Sequence, residues 1–100
     1  MYEGNVVELR QKEVLLDIPL NEQAYHGNIL VQDEEQLAIL LSEDKLKEIS
    51  LDTIYECRIF LDTNDVLCEG RVSERYISQT GRIVLFQIQK GFYELNVKEV

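Results

Sequence analysis

Apolar side chains recur at every second position along nearly the whole of this 100-residue chain, and a single proline interrupts them. Successive side chains of an extended strand point to opposite faces, whereas a helix repeats every three or four residues. A chain patterned this way folds as β-sheet with one face buried. Val7 and Leu9 alternate with Glu8 and Arg10, and Val14, Leu16 and Ile18 alternate with Glu13, Leu15 and Asp17, which reads as a first pair of strands. Pro19 cannot donate to a strand ladder, so it ends the second of them and opens the polar link Asn21, Glu22, Gln23. Ile29 and Val31 lead into the acidic turn Asp33, Glu34, Glu35, Gln36, and Leu37, Ile39 and Leu41 lead out of it as a second hairpin. Ser42 then stands as the N-cap of one short helix, with Glu43 and Asp44 in its first turn and Leu46 and Ile49 on one side.

In the second half, Tyr55, Cys57, Ile59 and Leu61 alternate with Glu56, Arg58 and Phe60 before the turn Asp62, Thr63, Asn64, Asp65. With Leu61 facing Val66, Glu56 falls opposite Arg71 and Arg58 opposite Glu69, two cross-strand charge pairs. The same register makes Cys57 and Cys68 diagonal neighbours on the inner face, about 7 Å apart and awkward for a disulfide. Gly81 supplies the positive φ of a bulged hairpin, after which Val84, Phe86 and Ile88 return to the core with Val72 opposite Phe86. Tyr93, Leu95 and Val97 keep the period in a last strand.

The expectation is a mainly β fold: a small antiparallel barrel of six to seven strands with one short helix, closed because closure removes exposed edges. A sandwich is the alternative. The length suits one domain over residues 1–100, built on a single core. Leu15, Leu30, Leu40, Ile83 and Leu85 fall on the outer faces, more apolar surface than a solvated barrel displays. The helix, the tail or a second copy of the chain should therefore cover them.

Composition excludes several function classes. A hydrophobic content of 45% against 29% charged residues is that of a folded domain. Nineteen acidic side chains against ten basic ones give a net charge of -9, a field that repels phosphate backbones and anionic lipids, so nucleic acid and membrane are poor partners. No apolar run approaches the roughly 20 residues that cross a bilayer, and MYEGNVVELR lacks the basic and apolar regions of a signal peptide, so the expected location is the cytoplasm. Cys57 and Cys68 are too few for a disulfide scaffold or a four-ligand zinc site and read as reduced, buried, inert thiols. His26, the sole histidine, has no Cys or His at ligand spacing and reads as a strand-end surface residue. Asp33, Glu34 and Glu35, even with Glu43 and Asp44, lack the spacing and the glycine of a calcium loop and read as a solvated acidic turn. Arg71, Arg75 and Arg82 form the one basic cluster and are expected to pair with neighbouring acids. With no triad, metal cluster or phosphate loop, neither an enzyme nor a cofactor is expected.

Residues 26–91 resemble a PilZ domain, a small bacterial β-barrel. The likeness rests on the acidic turn between two apolar strands, on Cys68, Glu69, Gly70, Arg71, Val72, which is similar to the family's G-x-V strand, and on Ile83, Val84, Leu85, Phe86, similar to its closing strand. PilZ domains bind the messenger cyclic di-GMP through an R-x-x-x-R segment and a D-x-S-x-x-G turn. Laid onto this chain, the turn keeps its Asp at Asp33 but has Glu35 in place of the Ser and Ala38 in place of the Gly. Arg10 is the one arginine upstream, and Val14 stands where the second would be. A carboxylate in place of a hydroxyl beside a dianion adds repulsion of about 1 to 4 kcal/mol at about 4 Å. The resemblance therefore implies a degenerate PilZ-like domain to which cyclic di-GMP does not bind, acting as a non-enzymatic adaptor that meets a protein partner or a second copy through its outward leucines. The alternative is an unrelated small β-barrel, either an accessory subunit or one that shields a small molecule in its mouth.

Overall fold

The period-2 pattern is realised in six strands: β1 (Val6–Val14), β2 (Ala24–Gln32), β3 (Gln36–Leu41), β4 (Thr53–Ile59), β5 (Asp65–Ile77) and β6 (Arg82–Leu95). The structure is a computed structural model that describes residues 1–14 and 22–95. All neighbouring strands are antiparallel, in the order β1-β2-β3-β6-β5-β4, and β4 pairs back onto β1 to close a barrel. Alternation then puts every second side chain inside. Leu9, Tyr25, Ile29, Ile39, Tyr55, Ile59, Val84 and Phe86 are buried completely or nearly so, and they fill the interior. A barrel this narrow has side chains, not a ligand cavity, at its axis.

Among the described residues there are six strands, the lower of the two expected counts. Val7 and Leu9 lie in β1, which runs on through Glu13 and Val14 with a bulge at Gln11/Glu13 against β4; the rest of the expected second strand is not among the described residues. Leu15, Leu16, Ile18 and Pro19 lie outside the described residues. Tyr93 and Leu95 extend β6 instead of starting a further strand, with Val97 outside the described residues. Gly81 has φ +139 in the turn between β5 and β6, where its N–H and C=O bond reciprocally with Ser78. Gly70 is needed for closeness: a Cβ there would lie 1.9 Å from the carbonyl oxygen of Gln87 on β6.

The register of β4 on β5 differs from the expected one by two residues. Ile59, not Leu61, faces Val66, while Leu61 packs against the core. The Arg58 guanidinium lies 2.6 Å from the Asp65 carboxylate and 5.5 Å from the centre of the Phe60 ring, which favours this pairing. Glu56 consequently faces Glu69, and Arg58 faces Leu67, so neither expected charge pair forms. The Lys12 ammonium instead bonds the largely buried Glu69 and offsets the repulsion of Glu56. Cys57 faces Cys68 directly rather than diagonally. Val72 faces Phe86 as expected.

Residues 42–52 form a strap rather than a capped helix. One 3-10 turn, Leu46–Glu48, is all that is helical, with Lys45 at its N-cap and no side-chain cap bond; the Ser42 N–H donates instead to the His26 carbonyl. Around the six-stranded ring β3 and β4 stand three places apart, so the chain between them crosses the barrel mouth. Fully buried Ile49 plugs that mouth. At the other end Tyr2 and Phe92 pack at 5.3 Å between ring centres and close over the core with Leu61 and Ile88.

Candidate functional site

Asp33 builds the turn between β2 and β3 by itself. Its Oδ1 accepts the N–H groups of Glu35 and Gln36, both at 2.8 Å, and its own N–H donates to the Gln36 carbonyl at 3.0 Å. An aspartate that closes a turn through its own backbone explains this residue without a ligand. The Glu35 carbonyl accepts the Ile88 N–H at 2.8 Å, while the Glu34 and Glu35 residues remain exposed. Among the described residues, no ion pair reaches Asp33, Glu34 or Glu35.

The degenerate ligand-turn positions are not gathered together. Arg10 faces Ala24 at the start of β2, whereas Asp33 follows that strand's last residue, about 30 Å along the barrel at ordinary strand rise. The Arg10 guanidinium is engaged locally, by Glu8 at 3.0 Å and the Glu22 carbonyl at 3.5 Å. Ala38 lies on the outer face of β3 opposite Leu85.

The outer apolar positions do converge on one face. Leu40 on β3 faces Ile83 on β6, and Ile83 faces Tyr76 on β5; in the next row Ala38 faces Leu85 and Leu85 faces Glu74. Leu30 and Val31 continue the face on β2, beside Ala38. A bulge between Ile29 and Val31 leaves Leu30 and Val31 both outward, although alternation with outward Leu30 would place Val31 inside. Ile83 is only 4% exposed, walled in by its cross-strand neighbours, so it is the floor of this band and not part of its surface. Leu40 and Leu85 are half-buried, whereas Leu30, Val31 and Tyr76 are exposed. Leu15 lies outside the described residues. Val31 and Tyr76 were missed from the sequence, and the only signal for them is a backbone irregularity that side-chain patterning does not encode.

The arginines expected to pair with acids hold the strap, and Arg82 also comes within 3.8 Å of the Asp44 carboxylate. Arg71 donates to the Leu51 carbonyl at 3.0 Å and Arg82 to the Glu43 carbonyl at 2.9 Å; Arg75 reaches the carbonyls of Leu46, Lys47 and Ile49. His26 sits near the start of β2 with its side chain 42% exposed, as expected of a strand-end surface residue, but it has partners. Its ring lies between Glu8, 3.2 Å from Nε2, and Glu43, 3.5 Å from Nδ1, and its backbone N–H donates to Glu43 at 2.9 Å. The His26 backbone N–H, helped by its ring, holds the Glu43 carboxyl below the ordinary glutamate value of 4.5. The arrangement ties β1, β2 and the strap to one another.

Among the described residues, no three His, Cys, Asp or Glu side chains are grouped to hold a metal ion, and no helix is long and apolar enough to cross a membrane. Compared with known protein families, curated proteins and solved structures, the chain matches none.

Proposed function

We propose that this chain is a non-enzymatic protein-interaction module, a PilZ-like barrel that has lost cyclic di-GMP binding and docks a protein partner through the apolar band on β2, β3, β6 and β5. The observation that carries the reading is the band itself. Leu30, Val31, Leu40, Leu85 and Tyr76 share one outer face over the buried floor of Ile83. Exposed Glu34 and Glu35 at the turn and Glu74 beside Leu85 border it. An apolar centre with an acidic rim fits a partner with an apolar centre and basic rim. A second copy would bring the same charge of -9 to the contact, so charge opposes self-association.

The PilZ reading is supported by the closed six-stranded barrel and by the position of the Asp33 turn between two apolar strands. Loss of the messenger is supported by the separation of Arg10 from that turn and by the use of Asp33 to close it. The interior packed with Tyr25, Tyr55 and Phe86 weighs against a small molecule held inside the barrel.

The test compares the full chain with the Leu40→Ser/Leu85→Ser double variant as baits, after thermal melting shows that the variant is folded. The expected result is a partner captured by the native chain alone, released by salt and bound again as a purified protein. Equal capture by both baits overturns the docking surface, and a salt-independent dimer in ultracentrifugation replaces the basic partner by a second copy. Calorimetry with cyclic di-GMP should give no binding heat; an affinity on the order of tens of micromolar overturns the loss of the messenger.

A further inference from the structure

The same two-residue change of register brings the cysteines together. Cys57 on β4 and Cys68 on β5 are directly opposed, completely buried and free. Opposed residues of an antiparallel pair have Cα atoms about 4.5 or 5.5 Å apart, inside the roughly 4.4 to 6.8 Å that a disulfide spans. Both side chains are completely buried on the inner face of the barrel, so they stand side by side across the ladder. In the same row Gly91 of β6 faces Cys68, and a Cβ at that position would lie 2.5 Å from the Cys68 Cβ. Glycine there lets β6 close in without displacing Cys68 from its partner.

We propose that Cys57 and Cys68 are an oxidative modification site, at which a peroxide converts the opposed thiols into a disulfide that staples β4 to β5 inside the folded barrel. In the first step one thiolate attacks a peroxide oxygen. The O–O bond breaks, a sulfenic acid forms, and the departing hydroxide takes that thiol's proton and becomes water. In the second step the other thiolate attacks the oxidised sulfur. The S–S bond forms, the S–O bond breaks, and the second hydroxide leaves as water with the second thiol's proton. Two thiols and one peroxide thus give one disulfide and two waters, the protein losing two electrons and the peroxide gaining them.

The closed barrel selects the oxidant and sets the pace. With both thiols at 0% exposure, only a small reagent arriving through transient local opening can reach them. The neighbouring Cys68 thiol, and then burial, push the Cys57 thiol up, which keeps its thiolate scarce near neutral pH. The reaction is therefore slow at neutral pH and faster as pH rises.

The experiment incubates the reduced full chain with hydrogen peroxide well below its melting midpoint, alkylates it in denaturant, and maps it by mass. The expected result is the loss of two hydrogens, a linked pair of peptides carrying Cys57 and Cys68, and recovery of both alkylation sites after dithiothreitol. Mapping separates this from oxygen added at exposed Met1. The linked protein should melt higher by about 5 °C or more. Two cysteines that remain alkylatable, that stop as separate oxygen adducts, or that join two chains overturn the proposal, as does a linked protein that melts lower. These outcomes are read on the native chain. In Cys57→Ser, Cys68 should show no loss of two hydrogens within one chain, and such a loss also overturns the assignment.

Discussion

Acidic segments mark both ends of the barrel, and in the sequence they look alike. At one end Glu43, Asp44 and Glu48 belong to the strap, which the rest of the molecule ties down. Three arginines donate to its carbonyls, the Tyr25 hydroxyl donates to Glu48 at 3.2 Å, and the Tyr55 hydroxyl accepts the Ser50 N–H at 2.9 Å. At the other end Asp33 closes its turn with its own backbone, and Glu34 and Glu35 remain exposed. The strap crosses a mouth whose core must be sealed, so several of its carbonyls and the Glu43 carboxylate are taken up by the fold, while the Asp44 side chain stays exposed. The turn joins adjacent strands and seals nothing, so its Glu34 and Glu35 carboxylates are left exposed. Composition alone does not separate these roles, whereas topology does.

Four experiments test the contrast, from the largest expected effect downward. Ile49→Ala empties the plugged mouth and should lower unfolding free energy by about 2 to 5 kcal/mol in urea titration. A loss under about 1 kcal/mol would show that the strap is not part of the core. Arg75→Ala strands the strap carbonyls that its guanidinium serves and should cost about 1 to 3 kcal/mol. Arg75→Lys should recover only part of this, because an ammonium lacks the planar fork. Asp33→Ala should cost about 1 kcal/mol, the usual value of a hydrogen bond lost at an exposed turn. Glu34→Gln with Glu35→Gln should change stability by less than about 0.5 kcal/mol. A larger loss from the last pair would mean that those carboxylates also serve the fold, and the contrast would fail.

Acid provides a fifth measurement with a definite sign. Because folding holds the Glu43 carboxyl below its ordinary value, its contribution is present above about pH 4.5 and is lost as pH falls through the lower folded value. Melting scans from neutral to acid pH should show a decline that Glu43→Gln reduces. The double Gln variant of the turn should leave the decline in place. An unchanged acid profile in Glu43→Gln would remove the strap's electrostatic tie.

Alternation made the inside of the barrel legible. Val7, Leu9, Ile39, Tyr55, Val84 and Phe86 are buried as period 2 demands, because a strand has only two faces. Register is a different matter. A slip by two residues leaves every side chain on its own face, so Leu61 opposite Val66 and Ile59 opposite Val66 satisfy the pattern equally. Packing of Leu61 against the core and the bond between Arg58 and Asp65 accompany the register that is observed, and both depend on the folded loop at residues 60–64. The Asp33 turn was legible because an aspartate at a tight turn carries its own mechanism. The strap was not, since its arginines seek backbone carbonyls, which every residue offers. The burial of Ile83 was hidden for a similar reason: its cover comes from strands on either side and not from its own neighbours in the chain.

Closure of the ring bears on how the chain reaches its fold. The β2–β3 and β5–β6 pairs can form as local hairpins, but the seam of β1 with β4 joins Val7 to Ile59 across half the molecule. Such a seam gains its bonds only after a long loop has been closed, so the entropy of ordering precedes its reward. Folding should then wait on the zipping of that seam, on the order of milliseconds to seconds for barrels of this kind. Until it zips, β1 and β4 both remain open edges, and the time spent in that half-ring is when one chain is most exposed to pairing with another.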